Sequence, residues 1–268
     1  VFVFAAGWRS GSTLLQRLIT GGGDVLVWGE PYQHCQYVQI LAESLRPMGT
    51  VGPPPFVHSP RAYLPFSAKE GRERISRIRS TFEARLYPHP VHLASAHREF
   101  FRTLYSQPAR ELGFSRWGFK EVRLEFEHAA YLKWLFGGAR FIFLIRDPYR
   151  AYRSYRPFRN WYHRWPGEPI MTARQFGELW ARLVRGYLYG WKSVDGMILR
   201  LEDLTSGEVP LARISEYLGC SIDEEALRIK VRGTIEHPEP GDVPANELKT
   251  LKKVVHPSAT DLGYVTPL

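Results

Sequence analysis

Val1 to Ala6 reads Val-Phe-Val-Phe-Ala-Ala, six apolar residues without a polar break, and runs directly into Gly7-Trp-Arg-Ser-Gly-Ser-Thr13. A continuous apolar run of this kind fits a strand buried on both faces, the usual state of a strand in a parallel sheet. Leu14, Leu15, Leu18 and Ile19 then recur at helical spacing until Gly21-Gly22-Gly23 ends the pattern. Asp24-Val-Leu-Val-Trp28 reads as a second strand leading into Gly29-Glu30-Pro31. Strand, helix, strand in immediate succession points to a parallel sheet covered by helices.

Three further strands are expected, at Trp117–Val122, Phe141–Ile145 and Met197–Leu201, with a helix through Tyr131 and Leu135 between the first two. The expected fold is α/β and three-layered, a central parallel sheet of about five strands flanked by helices. With 268 residues, 44% of them hydrophobic, and no break in composition, the chain reads as one domain spanning 1–268. Pro53, Pro54, Pro55, Pro60 and Pro65 make residues 49–66 a surface loop near the site mouth, and Ser67 to about Gln107 reads as mostly helical. Together they form an insertion at about 49–110. Its arginines 72, 74, 77, 79 and 85 read as a solvated helical face.

The net charge is +9, and only eight of the 36 basic residues are lysines. Arginine's planar fork suits bidentate recognition of phosphate or sulfate, so an anionic ligand is favoured, without nucleic acid being implied. Cys35 and Cys220 are the only cysteines and read as two buried thiols, which excludes a disulfide framework and fits a reducing compartment. There is no 18-residue apolar run, no signal-peptide pattern, and no glycosylation sequon at Asn160 or Asn246. A cytoplasmic setting is favoured. The chain starts at Val1 without Met, as a trimmed chain would, and the alternative setting is the lumenal catalytic fragment of an anchored enzyme.

The turn after the first strand has what a phosphate-binding loop needs. Gly7 and Gly11 allow close backbone approach, Ser10, Ser12 and Thr13 supply hydroxyls, Arg9 supplies a fixed charge, and a helix N-terminus follows. The Walker lysine is missing, which disfavours an ordinary ATPase or GTPase. A second such unit follows the strand at 141–145. Arg146 stands at a carboxyl end of the sheet, Pro148 fits the first helical turn, and Ser154 lies about two turns on. A plain Arg146–Asp147 ion pair is the competing explanation of that segment.

Taken together, these two units resemble the sulfotransferases that use 3′-phosphoadenosine 5′-phosphosulfate (PAPS), and Arg9-Ser-Gly-Ser-Thr13 resembles the carbohydrate branch in particular. Trp28-Gly-Glu-Pro-Tyr-Gln-His34 is similar to that branch's Glu-Pro segment, and Gly118-Phe-Lys-Glu-Val-Arg123 to its Lys-x-Val-Arg strand. Leu199-Arg-Leu-Glu-Asp-Leu204 is similar to the family's Leu-Arg-Tyr-Glu-Asp-Leu. Two departures stand out: Leu201 replaces a tyrosine often found near the adenine, and the stretch after Pro31 resembles nothing in the family.

The resemblance implies the P-loop-NTPase-like sulfotransferase fold, PAPS as donor and PAP as product. Arg9, Ser10, Gly11, Ser12 and Thr13, with Leu14 opening the helix, would hold the 5′-phosphosulfate, and Arg146 and Ser154 the 3′-phosphate. Arg232-Gly233-Thr234 would close over the 3′-phosphate as a late basic loop. Glu30 ends the second strand, which is expected to neighbour the first in the sheet, and is the candidate general base; His34 is the alternative. Lys120 or Arg123 would stabilise the transferring group or an anionic acceptor, and Trp161–Trp165 either lines an acceptor cleft or packs a helix. Carbohydrate or a glycosylated small molecule is the favoured acceptor. No metal-ligand spacing appears, so no metal is expected. The competing readings are a small-molecule kinase with a degenerate phosphate loop and a non-enzymatic anion-binding module.

Overall fold

The computed structural model describes residues 1–31, 35–45, 67–77, 88, 90–162, 169–229 and 242–265. The chain alternates as expected. β1 (Phe2–Ala5) is followed by α1 (Ser12–Gly21), β2 (Val25–Trp28), α2 (Tyr37–Leu45), α3 (Ala68–Arg77) and α4 (Pro90–Phe101). A π-turn at Arg102–Ser106 joins α4 to α5 (Gln107–Glu111), before β3 (Arg116–Glu121), α6 (Phe126–Leu135), β4 (Phe141–Ile145) and α7 (Pro148–Tyr155). The chain then forms α8 (Arg159–Tyr162), α9 (Ala173–Gly190), β5 (Met197–Arg200), α10 (Leu201–Ser206), α11 (Leu211–Leu218) and α12 (Ala245–Asp261). The proline-rich loop expected at 49–66 lies outside the described residues.

All four strand pairings are parallel, and the sheet order is β2-β3-β1-β4-β5. This corrects one expectation. β2 does not neighbour β1; it pairs with β3, which lies between them, Trp28 facing Phe119. The helical connection after β1 carries the chain past the position beside β1, and the later β3 fills it. β1 is thus the centre of the sheet, where the strand order reverses: β2 and β3 lie on one side, and the connection from β3 crosses to β4 and β5 on the other. Such a switch point opens a crevice beyond the carboxyl ends of the strands, where ligands bind in open α/β folds.

Burial explains why β1 and β4 are apolar throughout. Val3, Phe4 and Ala5 are fully buried, as are all five residues of β4. Phe2 and Phe4, two residues apart and so on one face, pack against Phe119, Phe141 and Phe143 of the flanking strands. Tyr187 of α9 covers Phe143 at 4.8 Å between ring centroids. Cys220 is buried, as expected, but Cys35 is exposed, because it lies in the irregular segment between β2 and α2 and not in a core element. Among the described residues no helix is long and apolar enough to cross a membrane.

Candidate active site

The turn after β1 is built on three left-handed residues, Gly7 at φ +83°, Arg9 at +62° and Gly11 at +87°. Gly7 N–H donates to the carbonyls of Ala5 (2.8 Å) and Val122 (3.0 Å), which docks the turn on the end of β3. α1 starts at Ser12 with Gly11 as its cap, so no side chain occupies the helix N-terminus, and its first turn holds no acid. That leaves an end with partial positive charge facing the crevice. A methyl group on Gly11 would lie 2.5 Å from Leu201 Cδ1, so the turn passes directly beneath that side chain.

The second unit meets the first. Arg146 follows β4, and its Nη1 donates to the Arg9 carbonyl at 2.6 Å. Arg9 Nε donates to Ser154 Oγ of α7 at 2.9 Å, with its guanidinium 5.1 Å above the Phe158 ring. Asp147 caps α7, accepting from the N–H groups of Tyr149 and Arg150. The competing Arg146–Asp147 ion pair is therefore replaced by a helix cap. Burial pulls the Arg146 pKa below its ordinary range and the Arg9 charge adds to this, while Glu202 opposes it. Glu202 itself accepts from Asp147 N–H (3.1 Å) and from Tyr264 Oη (3.0 Å), tying the start of α7 to the far end of the chain.

From the other side of β1 comes an ion pair. Lys120 Nζ, near the end of β3, donates to Glu30 Oε1 at 2.7 Å. Glu30 therefore reaches the crevice as the partner of β3, and not as a neighbour of β1. Between the two sides lies a cavity of about 270 Å³, whose polar lining is Arg9, Ser12, Thr13, Glu30, Lys120 and Arg146. Gly11, Trp8 and Val122 complete its walls. Trp8 is almost fully buried and stacked on Tyr155 at 5.7 Å, so it serves as a wall and not as an exposed platform.

Of the residues singled out in the sequence, six of the loop and strand-end group thus share one cavity with Gly11. Ser154 touches it through Arg9. Ser10 is buried behind the turn, and its hydroxyl has no hydrogen-bond partner among the described residues. Leu14 is half-buried on α1 and packs on the core. Arg123 is not in the lining; it pairs with Glu121 below. His34 and Arg232, Gly233 and Thr234 lie outside the described residues, as does much of Trp161–Trp165. Phe158 carried no sequence signal of a site, and Trp8 and Val122 stood inside the site motifs without a role of their own. Glu202 did carry one: it follows β5, whose carboxyl end lies beside that of β4.

A model of the sulfotransferase family matches residues 1–224. The chain belongs to the sulfotransferase family. It is a sulfotransferase enzyme, and its substrates are a sulfuryl donor and an acceptor. The sulfotransferase domain of the Synechococcus PCC 7002 olefin synthase superposes with a TM-score of 0.53 at 18% identity, over 100% of this chain and 95% of that one. The sulfotransferase domain from the curacin biosynthetic pathway gives 0.51 at 16%, over 100% and 98%. These two likenesses bear on the fold alone. No curated protein matches this sulfotransferase in sequence. The family match does not distinguish the carbohydrate branch.

Proposed function

We propose that this sulfotransferase moves a sulfuryl group from PAPS to an acceptor hydroxyl, with Glu30 as general base. The observation that carries the reading is the cavity itself, which gathers three cations, an uncapped helix N-terminus and a carboxylate at the switch point of the sheet. The residues fit such a donor. A buried hydroxyl without a partner among the described residues, at Ser10, sits inside a turn whose glycines let the backbone wrap an anion. PAPS would supply the activated sulfuryl group and a leaving phosphate.

Arg9, Ser12, Thr13 and the first N–H groups of α1 hold the 5′ end, and Arg146 with Ser154 holds the 3′-phosphate. Arg9 brings a guanidinium charge, so its part is to stabilise charge growing on the leaving oxygen. Lys120 fixes Glu30 through Oε1, which leaves Oε2 to take the proton of the acceptor hydroxyl. Fixed charge and alignment are what in-line transfer requires, since little covalent work falls to the protein. The likeness of Arg9–Thr13 to the carbohydrate branch supports a sugar or a glycosylated small molecule as acceptor.

Labelled PAPS offered with a panel of alcohols, phenols and sugars tests the reaction. Label should pass to a hydroxyl, and Glu30→Gln should lower turnover by about 10²–10⁴, the usual worth of a general base, without weakening PAP binding. Full turnover in Glu30→Gln would remove it from the base role.

A further inference from the structure

Four charged side chains lie at or just beyond the carboxyl ends of β2 and β3, and they sort into two pairs. Lys120 and Glu30 face the cavity, with side chains 11% and 20% exposed. Glu121 and Arg123 lie beneath, at 4% and 9%. Adjacent positions in a strand point to opposite faces, which is why Lys120 and Glu121 serve different pairs. Glu121 Oε1 accepts from Val122 N–H at 2.8 Å, and the carboxylate takes the Arg123 guanidinium at 3.4 Å (Nε to Oε1) and 3.5 Å (Nη2 to Oε2).

The pairs are not independent. Burial raises the Glu121 pKa, Arg123 opposes this and the Glu30 charge adds to it; burial lowers that of Arg123, which Glu121 and then Glu30 counter. An arginine fork is a stronger carboxylate partner than a lysine point charge, because it can donate to both oxygens at once. Glu30 gripped in that way would have no oxygen left for an acceptor proton. The function of Glu30 therefore depends on where the Arg123 guanidinium is directed.

We propose that Glu121 is a positioning residue: its buried carboxylate holds Arg123 off Glu30, so that Lys120 alone sets the place of the Glu30 carboxylate in the cavity. The consequence for turnover rests on the reading of Glu30 as base; the consequence for Arg123 does not. In Glu121→Gln, the amide oxygen still accepts from Val122 N–H, but the buried guanidinium loses its counter-charge, which is strongly unfavourable. The remaining carboxylate of the cluster is Glu30, and the guanidinium turns to it.

Crystal structures and kinetics of Glu121→Gln and of Glu121→Gln/Arg123→Met test this. The single variant should show Arg123 within hydrogen-bond reach of Glu30, and a turnover lowered about tenfold or more, part of what a base contributes. Its PAP affinity should change by less than roughly twofold, since no donor-binding residue is touched. Removing the redirected cation should restore the double variant to within roughly threefold of the unsubstituted enzyme, because deleting both members of a buried pair is tolerated where deleting one is not. A single variant that does not fold, beside a double variant that folds and turns over, leads to the same conclusion. The proposal is overturned if Arg123 stays beside the introduced amide in Glu121→Gln, or if the double variant remains as slow as the single one. Full turnover in Glu30→Gln overturns the base assignment only, and the position of Arg123 then decides the role of Glu121.

Discussion

Arg9 is held at φ +62°, a conformation that costs a residue bearing a side chain about 1–2 kcal/mol. It persists because Arg146 grips its carbonyl and Ser154 its guanidinium. Arg9→Ala and Arg9→Gly both remove the charge, and each should lower turnover by about 10²–10³, the scale of losing one donor to a developing oxyanion. They should differ in stability. Glycine is at ease in the left-handed region, so Arg9→Gly should exceed Arg9→Ala by about 1 kcal/mol in denaturant unfolding. Equal stabilities would show that the turn relaxes once the side chain is gone. The sequence marked Arg9 as a cation beside a phosphate site, but not its backbone angle. That angle is set by partners about 140 residues away, which no local pattern encodes.

The turn between β1 and α1 is the element proposed to hold the donor, and its two outer glycines are required for different reasons. A methyl group at Gly7 meets nothing within 4 Å, so Gly7→Ala should cost only the left-handed penalty of about 1–2 kcal/mol. At Gly11 the same methyl group also collides with Leu201, and Gly11→Ala should cost more and weaken PAP binding. In a double-mutant cycle, Leu201→Ala should be less harmful in the Gly11→Ala background than in the native one; additive losses would mean that the two side chains do not press on each other. Packing of α4 on α6 carries a pH signature. His97 is buried with Nδ1 2.8 Å from Tyr131 Oη, and burial holds its pKa below the ordinary 6.5. The unfolded chain then binds the proton more readily, so stability should be full above about pH 6.5 and fall as pH drops below it. His97→Gln should flatten that acid limb in melting curves. Strands were legible at this scale because three of them, β1, β2 and β4, are unbroken apolar runs between turns, and the other two are short runs rich in apolar residues. Their order was not: β2 is the same apolar run whether it borders β1 or β3, and the crossovers that decide this leave no mark in a strand's own residues.

At the scale of the molecule, the cavity is assembled from segments that follow or end four strands: Arg9 after β1, Glu30 after β2, Lys120 near the end of β3 and Arg146 after β4. None of these residues forms a site in the unfolded chain. A ligand that binds all of them therefore binds the native state alone, and must stabilise the whole fold by mass action. With PAP at a hundredfold above its dissociation constant the gain is about 2.7 kcal/mol, which in a chain of this size means a rise in Tm of roughly 5–10 °C. ADP with magnesium carries the same adenosine and two phosphates at the 5′ end, but nothing for Arg146 and Ser154 to hold. Its shift should be the smaller by several degrees, and Arg146→Ala should bring the PAP shift down towards it. Added salt should shrink the PAP shift if arginine charges hold the ligand, as proposed, in a chain of net charge +9. Should ADP with magnesium stabilise the protein more than PAP, the 3′-phosphate has no dedicated place in the cavity, and the donor is to be sought among ordinary nucleotides.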